Sequence, residues 1–209
     1  MKLYYSPGSC SMSCHITLEE SGLKYEAIQV NFDNANDPNL ALVEKMNPLG
    51  TLPIFITDEG KQLDQNLAIH AYVAAKAQEK NLLPKPGTIE YAEALNLLSF
   101  VAADLHKGVG GMFGLAAYEG DKDTQGKVRK NMFARASEYL KYVDTKVTGH
   151  DYLMGTTFTA VDAYAFTVLS WTKHLDISLV PYPNAEKYIA RVAARPAVAR
   201  VLKIEGLLE

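Results

Sequence analysis

A strand, a sharp turn and a helix are predicted by ten residues near the start of the chain, Tyr4-Tyr5-Ser6-Pro7-Gly8-Ser9-Cys10-Ser11-Met12-Ser13. The segment Lys2–Tyr5 has the aromatic content of a short strand, and Pro7-Gly8 ends it. Ser9 then offers an N-cap oxygen to a helix that can continue to Gly22, a residue suited to the C-cap. This arrangement places Cys10 in the first helical turn.

A cysteine at that position has two interpretations. The unpaired backbone N–H groups and the positive end of the helix dipole favour a thiolate, so Cys10 can be a reactive sulfur or a ligand contact. Alternatively, Cys10 is a buried cysteine that packs as a small hydrophobic residue. Position alone does not decide between the two.

The composition argues against several classes of protein. Of 209 residues, 48% are apolar and 22% are charged, which is typical of a globular protein with a full core. A net charge of −3 without a Lys/Arg cluster argues against nucleic-acid binding. Two cysteines do not make a disulfide framework, and we find no signal peptide or membrane-spanning run. We therefore expect a cytoplasmic protein with reduced thiols and no membrane partner.

The first 80 residues predict a small α/β domain. Strand, helix and strand within about thirty residues form a βαβ unit, so the first two strands should be parallel. Pro53 lies near the beginning of a third strand, where proline is tolerated, and Asp58-Glu59-Gly60 turns that strand into a hairpin. We predict strands at residues 2–5, 25–30 and 51–57, a hairpin partner at 61–63, a short helix at 40–45, and a helix at 65–78 that Asp64 caps.

The remainder of the chain predicts helices only. Residues 81–88 hold two prolines and a glycine and form a linker. Apolar residues then recur at helical spacing, with an interruption at Gly108–Gly114, and Thr159 and Asp162 form a variant capping box. We predict helices over residues 90–106 and 121–147, from 159 to about 174, from 182 to about 195 and from 196 to about 203. The fold class is therefore α/β plus all-α, with domains at residues 1–80 and 88–209.

Four motifs follow one another along the chain: Pro7-Gly8-Ser9-Cys10-Ser11 with His15-Ile16, Asn47-Pro48-Leu49-Gly50-Thr51-Leu52-Pro53, Leu105-His106-Lys107-Gly108, and Phe158-Thr159-Ala160-Val161-Asp162-Ala163-Tyr164 running into Thr167-Val168-Leu169-Ser170-Trp171. Each motif alone is modest, but four in order at the expected spacing are specific. Together they resemble the bacterial beta class of the glutathione S-transferases over nearly the whole chain. The resemblance implies a thioredoxin-like domain followed by a helical bundle domain, a homodimer, a glutathione site on the first domain, and a cis peptide bond before Pro53.

The resemblance also implies which residues act on the glutathione sulfur. Cys10 matches the family's residue that faces this sulfur, where it forms a mixed disulfide or a hydrogen bond. His106 and Lys107 match residues that approach the sulfur from the helical domain, the histidine as a donor or proton shuttle and the lysine as a positive charge. Tyr5 can donate its phenolic O–H, as tyrosine does in other classes, although a core aromatic is an equal alternative.

Recognition of glutathione needs partners for its two carboxylates, its amine and its peptide groups. The backbone of Leu52, before Pro53, can pair with the cysteinyl part like an added strand. At the γ-glutamyl end, the family has an acid or glutamine followed by serine, and this chain has Gln65 and Asn66. Gln65 offers a carbonyl to the ammonium group and Asn66 can donate to the carboxylate, unless both merely cap a helix. The full set of predicted glutathione contacts is Cys10, Leu52, Pro53, Gln65, Asn66, Ser99 and His106.

These residues predict an enzyme that transfers glutathione, its co-substrate, to hydrophobic electrophiles. Thiol–disulfide exchange or peroxidase chemistry through Cys10 would use the same site. Two alternatives stay open: a low-turnover ligand- or partner-binding protein on this fold, and a dedicated glutathione-dependent isomerase or dehalogenase. Cys10, His106 and Lys107 together favour the enzyme, whereas the shape of the pocket decides the acceptor. Cys10, Cys14 and His15 make a poor metal site, so we expect no metal.

Overall fold

Two compact units make up the chain. The computed structural model describes residues 1–117 and 122–208. One unit comprises Met1–Pro86 together with Ala194–Glu209, and the other comprises Gly87–Ala193. No helix within the described ranges is long and apolar enough to cross a membrane.

The first unit is built on a mixed four-stranded sheet. Its strands are β1 (Lys2–Tyr5), β2 (Glu26–Gln29), β3 (Ile54–Ile56) and β4 (Gln62–Leu63). The spatial order is β2-β1-β3-β4, in which β1 and β2 are parallel and the other pairs are antiparallel. This order confirms the predicted βαβ unit and the predicted hairpin. The peptide bond between Leu52 and Pro53 is cis, as the resemblance implies.

A nearly completely buried helix, α1 (Ser11–Ser21), follows the turn after β1. Gly22 at φ +69° is its C-cap, as predicted. The predicted N-cap, Ser9, is wrong, because Cys10 occupies that position. The Ser9 hydroxyl instead accepts the Ser11 N–H at 3.2 Å within the turn, which delays the start of the helix by one residue.

Two further helices belong to the first unit, one between β2 and β3 and the other after β4 in the chain. The helix α2 (Pro38–Met46) starts earlier than predicted, because Asp37 caps it by accepting the Asn39 N–H at 2.8 Å. The helix α3 (Asn66–Lys76) has Gln65 as its N-cap, so the prediction that Asp64 caps it is wrong. Gln65 keeps an extended backbone, with φ −121° and ψ 129°, and the helix therefore begins only at Asn66.

Side chains of β1 alternate between two apolar clusters, one on each face of the sheet. Leu3 and Tyr5 lie in the cluster that includes Leu18 of α1, whereas Tyr4 lies in the other, with Val43 of α2. Alternation of this kind is the period of a strand buried on both faces. The sheet is thus covered by helices on both sides.

The second unit begins with one long, locally widened helix. The helix α4 (Ile89–Phe100) continues through a π-helical turn, Val101–Leu105, into α5 (His106–Gly110). The predicted interruption begins later than Gly108, because α5 includes that glycine and a 3₁₀ segment follows at Gly111–Ala117. At Gly108 an added Cβ would lie 2.6 Å from the Tyr139 ring, so glycine permits close packing here.

The remaining helices of this unit are α6 (Lys122–Lys146), α7 (Ala160–Ser170) and α8 (Pro183–Ala193). The predicted start of α6 at Asp121 lies outside the described residues. The capping box of α7 is confirmed, since the Asp162 carboxylate accepts the Thr159 N–H at 2.8 Å. This buried carboxylate also accepts the Leu153 N–H at 2.9 Å and the Tyr188 O–H at 3.0 Å, and so joins three segments.

The last helix, α9 (Pro196–Ile204), returns to the first unit and contacts α1. Its buried face includes Val198 and Val201, and the ion pair between Arg195 and Glu20 of α1, 2.6 Å long, flanks the contact. The apolar face of α9 is buried on α1, and α9 is thereby grouped with the first unit, whereas the predicted second domain extends to residue 209. The domain limits stay a prediction, whereas the fold class, α/β plus all-α, is confirmed.

Candidate active site

Serine side chains hold the turn after β1. The Ser9 N–H donates to the Ser6 carbonyl at 3.1 Å and closes the turn. The buried Ser11 hydroxyl accepts the Ser6 N–H at 3.1 Å and lies 2.6 Å from the Ser9 hydroxyl. Gly8 has φ +70°, a conformation that strains the backbone of other residues. These features fix the loop that ends at Cys10.

Cys10 is half-buried at the N-cap of α1. Its Sγ–H donates to the Leu52 carbonyl at 3.3 Å, immediately before the cis bond to Pro53. Among the described residues, none accepts the Leu52 N–H. The structure thus brings Cys10, Leu52 and Pro53 together and presents, near the thiol, a backbone N–H that an extended peptide can use.

The other cysteine, Cys14, is completely buried in α1. Burial raises the pKa of its thiol well above the ordinary value. Because the thiolate is the reactive form of cysteine, Cys14 is inert at neutral pH. The two cysteines are not joined by a disulfide. Cys14 therefore fills the packing role, and the half exposure of Cys10 at a helix start favours the reactive interpretation there.

Gln65 and Asn66 differ in their surroundings at the start of α3. Gln65 is exposed and makes no capping bond with its side chain. Asn66 is buried, and its amide donates to the Cys10 carbonyl and to the Ser13 hydroxyl, each at 3.2 Å. Both N–H groups of this amide are thereby used inside the protein. An Asn66 contact to the γ-glutamyl carboxylate would therefore use its backbone N–H in the first turn of α3.

Tyr5 is 4% exposed and belongs to an apolar core cluster. Its ring centroid lies 4.9 Å from that of His15. Burial, and then the Glu205 carboxylate, raise the pKa of the Tyr5 phenol above the ordinary value. These surroundings favour the core-aromatic alternative over a catalytic phenol.

Glu205 is the residue near this site that the sequence analysis missed. Its buried carboxylate accepts the Gly8 N–H at 2.8 Å, across 197 residues of sequence. The only signal in the sequence was an acid between the apolar residues Ile204 and Leu207 near the end of the chain.

His106 follows the π-helical turn in the second unit. Its Nδ1 lies 2.8 Å from the Tyr164 hydroxyl, and its ring packs edge-on against Trp171 with centroids 4.9 Å apart. Burial, and to a lesser extent the charge of Lys107, lower the pKa of His106 to about 4. The imidazole is therefore neutral at pH 7 and can serve as a hydrogen-bond donor but not as a cation.

Lys107 and Ser99 are both exposed on the same long helical segment of the second unit. A cavity of about 290 Å³ lies beside Lys107 and Gly108 and is also lined by residues of the π-helical turn, among them Asp104, and of α6, among them Arg135. A larger cavity of about 590 Å³ in this unit is lined by none of the predicted site residues. The roles predicted for Ser99, His106 and Lys107 toward glutathione stay predictions.

A metal site has no support from side-chain geometry in residues 1–117 and 122–208, where no group of three or more His, Cys, Asp or Glu could hold an ion. The expectation that no metal takes part stays a prediction.

Family models and known proteins provide the comparison. The model for the glutathione S-transferase N-terminal domain matches residues 1–75, and the model for the C-terminal domain matches residues 109–196. Glutathione S-transferase GstA of Escherichia coli O157:H7 is 31% identical over 207 residues, which is 99% of this chain and 100% of that protein.

Two solved structures show the same relationship. A sphingomonad glutathione S-transferase complexed with glutathione superposes with a TM-score of 0.88 at 30% identity, over 99% of this chain and 100% of that one. The bacterial beta-class glutathione S-transferase of Sphingomonas chungbukensis superposes with a TM-score of 0.87 at 31% identity, over 100% of both chains.

Proposed function

The chain belongs to the glutathione S-transferase family, and on that premise we propose that it binds glutathione and transfers it to electrophilic substrates. The observation that carries the proposal is the place of Cys10, half-buried at the start of α1 with its Sγ 3.3 Å from the Leu52 carbonyl. A sphingomonad relative whose structure was solved with glutathione bound supports the choice of ligand.

Glutathione recognition follows from the groups around Cys10. The Leu52 N–H and carbonyl can pair with the cysteinyl residue of the tripeptide as a short added strand. The exposed Gln65 side chain can accept a bond from the ammonium group, and the N–H groups at the start of α3 can hold the adjacent carboxylate. Helix α3 has 11 residues, long enough for a favourable dipole at that end.

The chemistry proposed for Cys10 is exchange with, or stabilisation of, the glutathione sulfur. In exchange with oxidised glutathione, the Cys10 thiolate attacks one sulfur, a new S–S bond forms, and the other glutathione leaves as a thiolate. In conjugation, the bound glutathione thiolate forms a C–S bond with the electrophilic carbon, and a leaving group such as a halide departs with the electron pair. His106 is proposed as a neutral N–H donor to that thiolate and Lys107 as a nearby positive charge, roles that the resemblance supports.

The first experiment is intact mass spectrometry of the protein incubated with oxidised glutathione and then with a reductant. We expect one glutathione adduct, on Cys10, that the reductant removes. Cys14→Ala is the matched control and should keep the adduct, whereas Cys10→Ala should lose it. An adduct on Cys14, or one that survives Cys10→Ala, would show that the site is wrong.

A second experiment separates the enzyme from a low-turnover binding protein on the same fold. The purified protein is assayed for conjugation of glutathione to an aromatic halide such as 1-chloro-2,4-dinitrobenzene, and for reduction of a glutathione mixed disulfide. Glutathione binding without turnover of any such substrate would favour the binding protein. Selective turnover of an isomerisable or halogenated acceptor would favour the dedicated isomerase or dehalogenase.

We further propose a cytoplasmic homodimer that detoxifies hydrophobic electrophiles. The resemblance supports the dimer, as do exposed apolar residues on the long helices of the second unit, among them Ile89, Phe133 and Tyr142. Analytical sedimentation at micromolar concentration should give twice the mass of one chain. A monomer under those conditions would refute the dimer.

A further inference from the structure

A buried carboxylate lies against the loop that carries Cys10. Glu205 follows α9, and its side chain is completely inaccessible to solvent. One carboxylate oxygen, Oε2, accepts the Gly8 N–H at 2.8 Å. The other, Oε1, lies 2.8 Å from Nδ1 of His15, whose side chain is also completely inaccessible. The carboxylate therefore bridges the turn before Cys10 and a residue of α1 beyond it.

His15 depends on this carboxylate for its hydrogen bonding. Its Nε2 is buried and has no hydrogen-bond partner among the residues that the structure describes. Two aromatic rings lie beside the imidazole, Tyr5 at 4.9 Å and Tyr25 at 5.7 Å between centroids. Removing Glu205 would leave a buried imidazole without its polar partner, which is costly in an apolar environment.

The hydrogen bond from the Gly8 N–H to Glu205 acts on the turn that carries Cys10. Gly8 lies two residues before Cys10, in a turn whose φ of +70° already restricts the chain. Serine bonds close this turn from its own side, whereas the Glu205 bond is made by the opposite end of the chain. Leu207 also packs beside Gly8, with its methyl groups 3.6 and 3.7 Å from the position of an added Cβ. The C-terminal segment thus forms part of the support of the turn.

We propose that Glu205 is a positioning residue for Cys10: it holds the Gly8 turn against α1 and so keeps the thiol at the Leu52 carbonyl. The proposal rests on the proposed function only in that Cys10 is the thiol that meets glutathione. A displacement of reacting atoms by about 1 Å can reduce a rate by about 100-fold, so loss of the support should be visible in the kinetics.

The chain offers a matched control for this bond. Glu20 of α1 also binds the C-terminal segment, through two bonds of 2.6 and 2.9 Å to Arg195, but among the described residues it makes no bond to the turn. Glu20→Leu therefore loosens the C-terminal segment without touching Gly8. Any effect that Glu205→Leu has beyond that of Glu20→Leu belongs to the turn.

Glu205→Gln serves as the conservative rescue. Its amide oxygen can accept the Gly8 N–H, and its NH₂ can donate to Nδ1 of His15 once the imidazole proton moves to Nε2. The negative charge is lost but the geometry of the turn is kept. A purely electrostatic role for Glu205 would be abolished by this variant, whereas a positioning role would survive it.

The experiment compares two reactions of Cys10 in each folded variant, exchange with oxidised glutathione and alkylation by iodoacetamide, both quantified by mass spectrometry. In Glu205→Leu we expect the ratio of the exchange rate to the alkylation rate to fall by about tenfold or more. Glu205→Gln should recover most of this ratio, and Glu20→Leu should keep it. An unchanged ratio in folded Glu205→Leu, or an equal fall in Glu20→Leu, would overturn the proposal.

Two further measurements keep the proposal decidable. If Glu205→Leu does not fold, Glu205→Asp replaces it, since the shorter side chain cannot reach both partners, and the same fall in the ratio is expected. If the wild type forms no adduct with oxidised glutathione, the exchange reaction proposed for Cys10 fails, and conjugation is tested separately by the assay with an aromatic halide. The positioning role is then decided by alkylation, which should be faster in Glu205→Leu because the thiol leaves Leu52; an equal rate would overturn it.

Discussion

The pKa of His106 offers a quantitative test of its surroundings. Burial in the second unit lowers this pKa to about 4, against an ordinary value of about 6.5. The unfolded chain therefore takes up a proton as the pH falls through 6.5, whereas the folded chain does so only near pH 4. Because the unfolded state binds more protons in this window, His106 makes the free energy of unfolding decrease as the pH falls from 6.5 to 4.

The size of the effect follows from the pKa shift. At pH 5, about 1.5 units below the unfolded-state pKa, the imidazole is protonated in the unfolded chain but still mostly neutral in the folded one. At about 1.36 kcal/mol per unit, this difference lowers the free energy of unfolding by about 2 kcal/mol. His106→Gln removes the imidazole and should abolish this contribution. Between pH 7.5 and pH 5, the wild type should therefore lose about 2 kcal/mol more unfolding free energy than His106→Gln does.

Urea unfolding at the two pH values measures this difference. Trp171 is the only tryptophan of the chain and packs against His106, so its fluorescence reports on the unit concerned. His174→Gln, which removes an exposed imidazole, is the matched control and should show the same pH difference as the wild type. Equal losses in the wild type and His106→Gln would refute the argument that the imidazole is held neutral by burial.

Four other changes have definite expected outcomes. Gln65→Glu should tighten glutathione binding by no more than ~1 kcal/mol, because a carboxylate facing the ammonium group adds a charge-assisted bond, and the gain should shrink with salt. Calorimetric titration at low and high salt measures it, and weaker binding at both would show that Gln65 does not meet the ammonium. Asn66→Ala should lower the free energy of unfolding in urea by about 1–3 kcal/mol, since it removes the bonds that the Asn66 amide donates to the Cys10 carbonyl and Ser13 hydroxyl and the one that it accepts from Cys14. An unchanged urea midpoint would contradict the structural role of the Asn66 amide. Asp162→Asn should cost about 1.5–3 kcal/mol in the same assay, because an amide has one acceptor oxygen and the buried carboxylate accepts donors on both. A smaller loss of unfolding free energy than in Asn66→Ala would be evidence against this role of the Asp162 carboxylate. His106→Ala should lower turnover by an amount equivalent to about 1.5–3 kcal/mol while glutathione still binds, and unchanged turnover would remove this residue from the mechanism.

Local sequence signals determined most of the secondary structure and the position of the thiol. The Pro7-Gly8 break, the Gly22 C-cap and the Thr159 capping box each act within a few residues, and all three appear as predicted. The parallel pairing of β1 and β2 also followed, because a strand–helix–strand unit of that length has one favoured handedness and pairing. The two misplaced caps, Ser9 and Asp64, were each wrong by one residue, since several polar side chains compete for the same N–H groups.

Only the tertiary structure decided what the polar residues around Cys10 do. Asn66 was expected to face a ligand, yet its amide is used by the Cys10 carbonyl and Ser13, because burial requires every donor to find a partner. Glu205 lies 197 residues from Gly8, and no local pattern links the two. The neutral state of His106 is likewise mainly a consequence of burial, to which the charge of its sequence neighbour Lys107 adds a smaller effect. Periodicity and capping act over one or two turns of the chain, whereas desolvation and long-range hydrogen bonds exist only once the chain has packed.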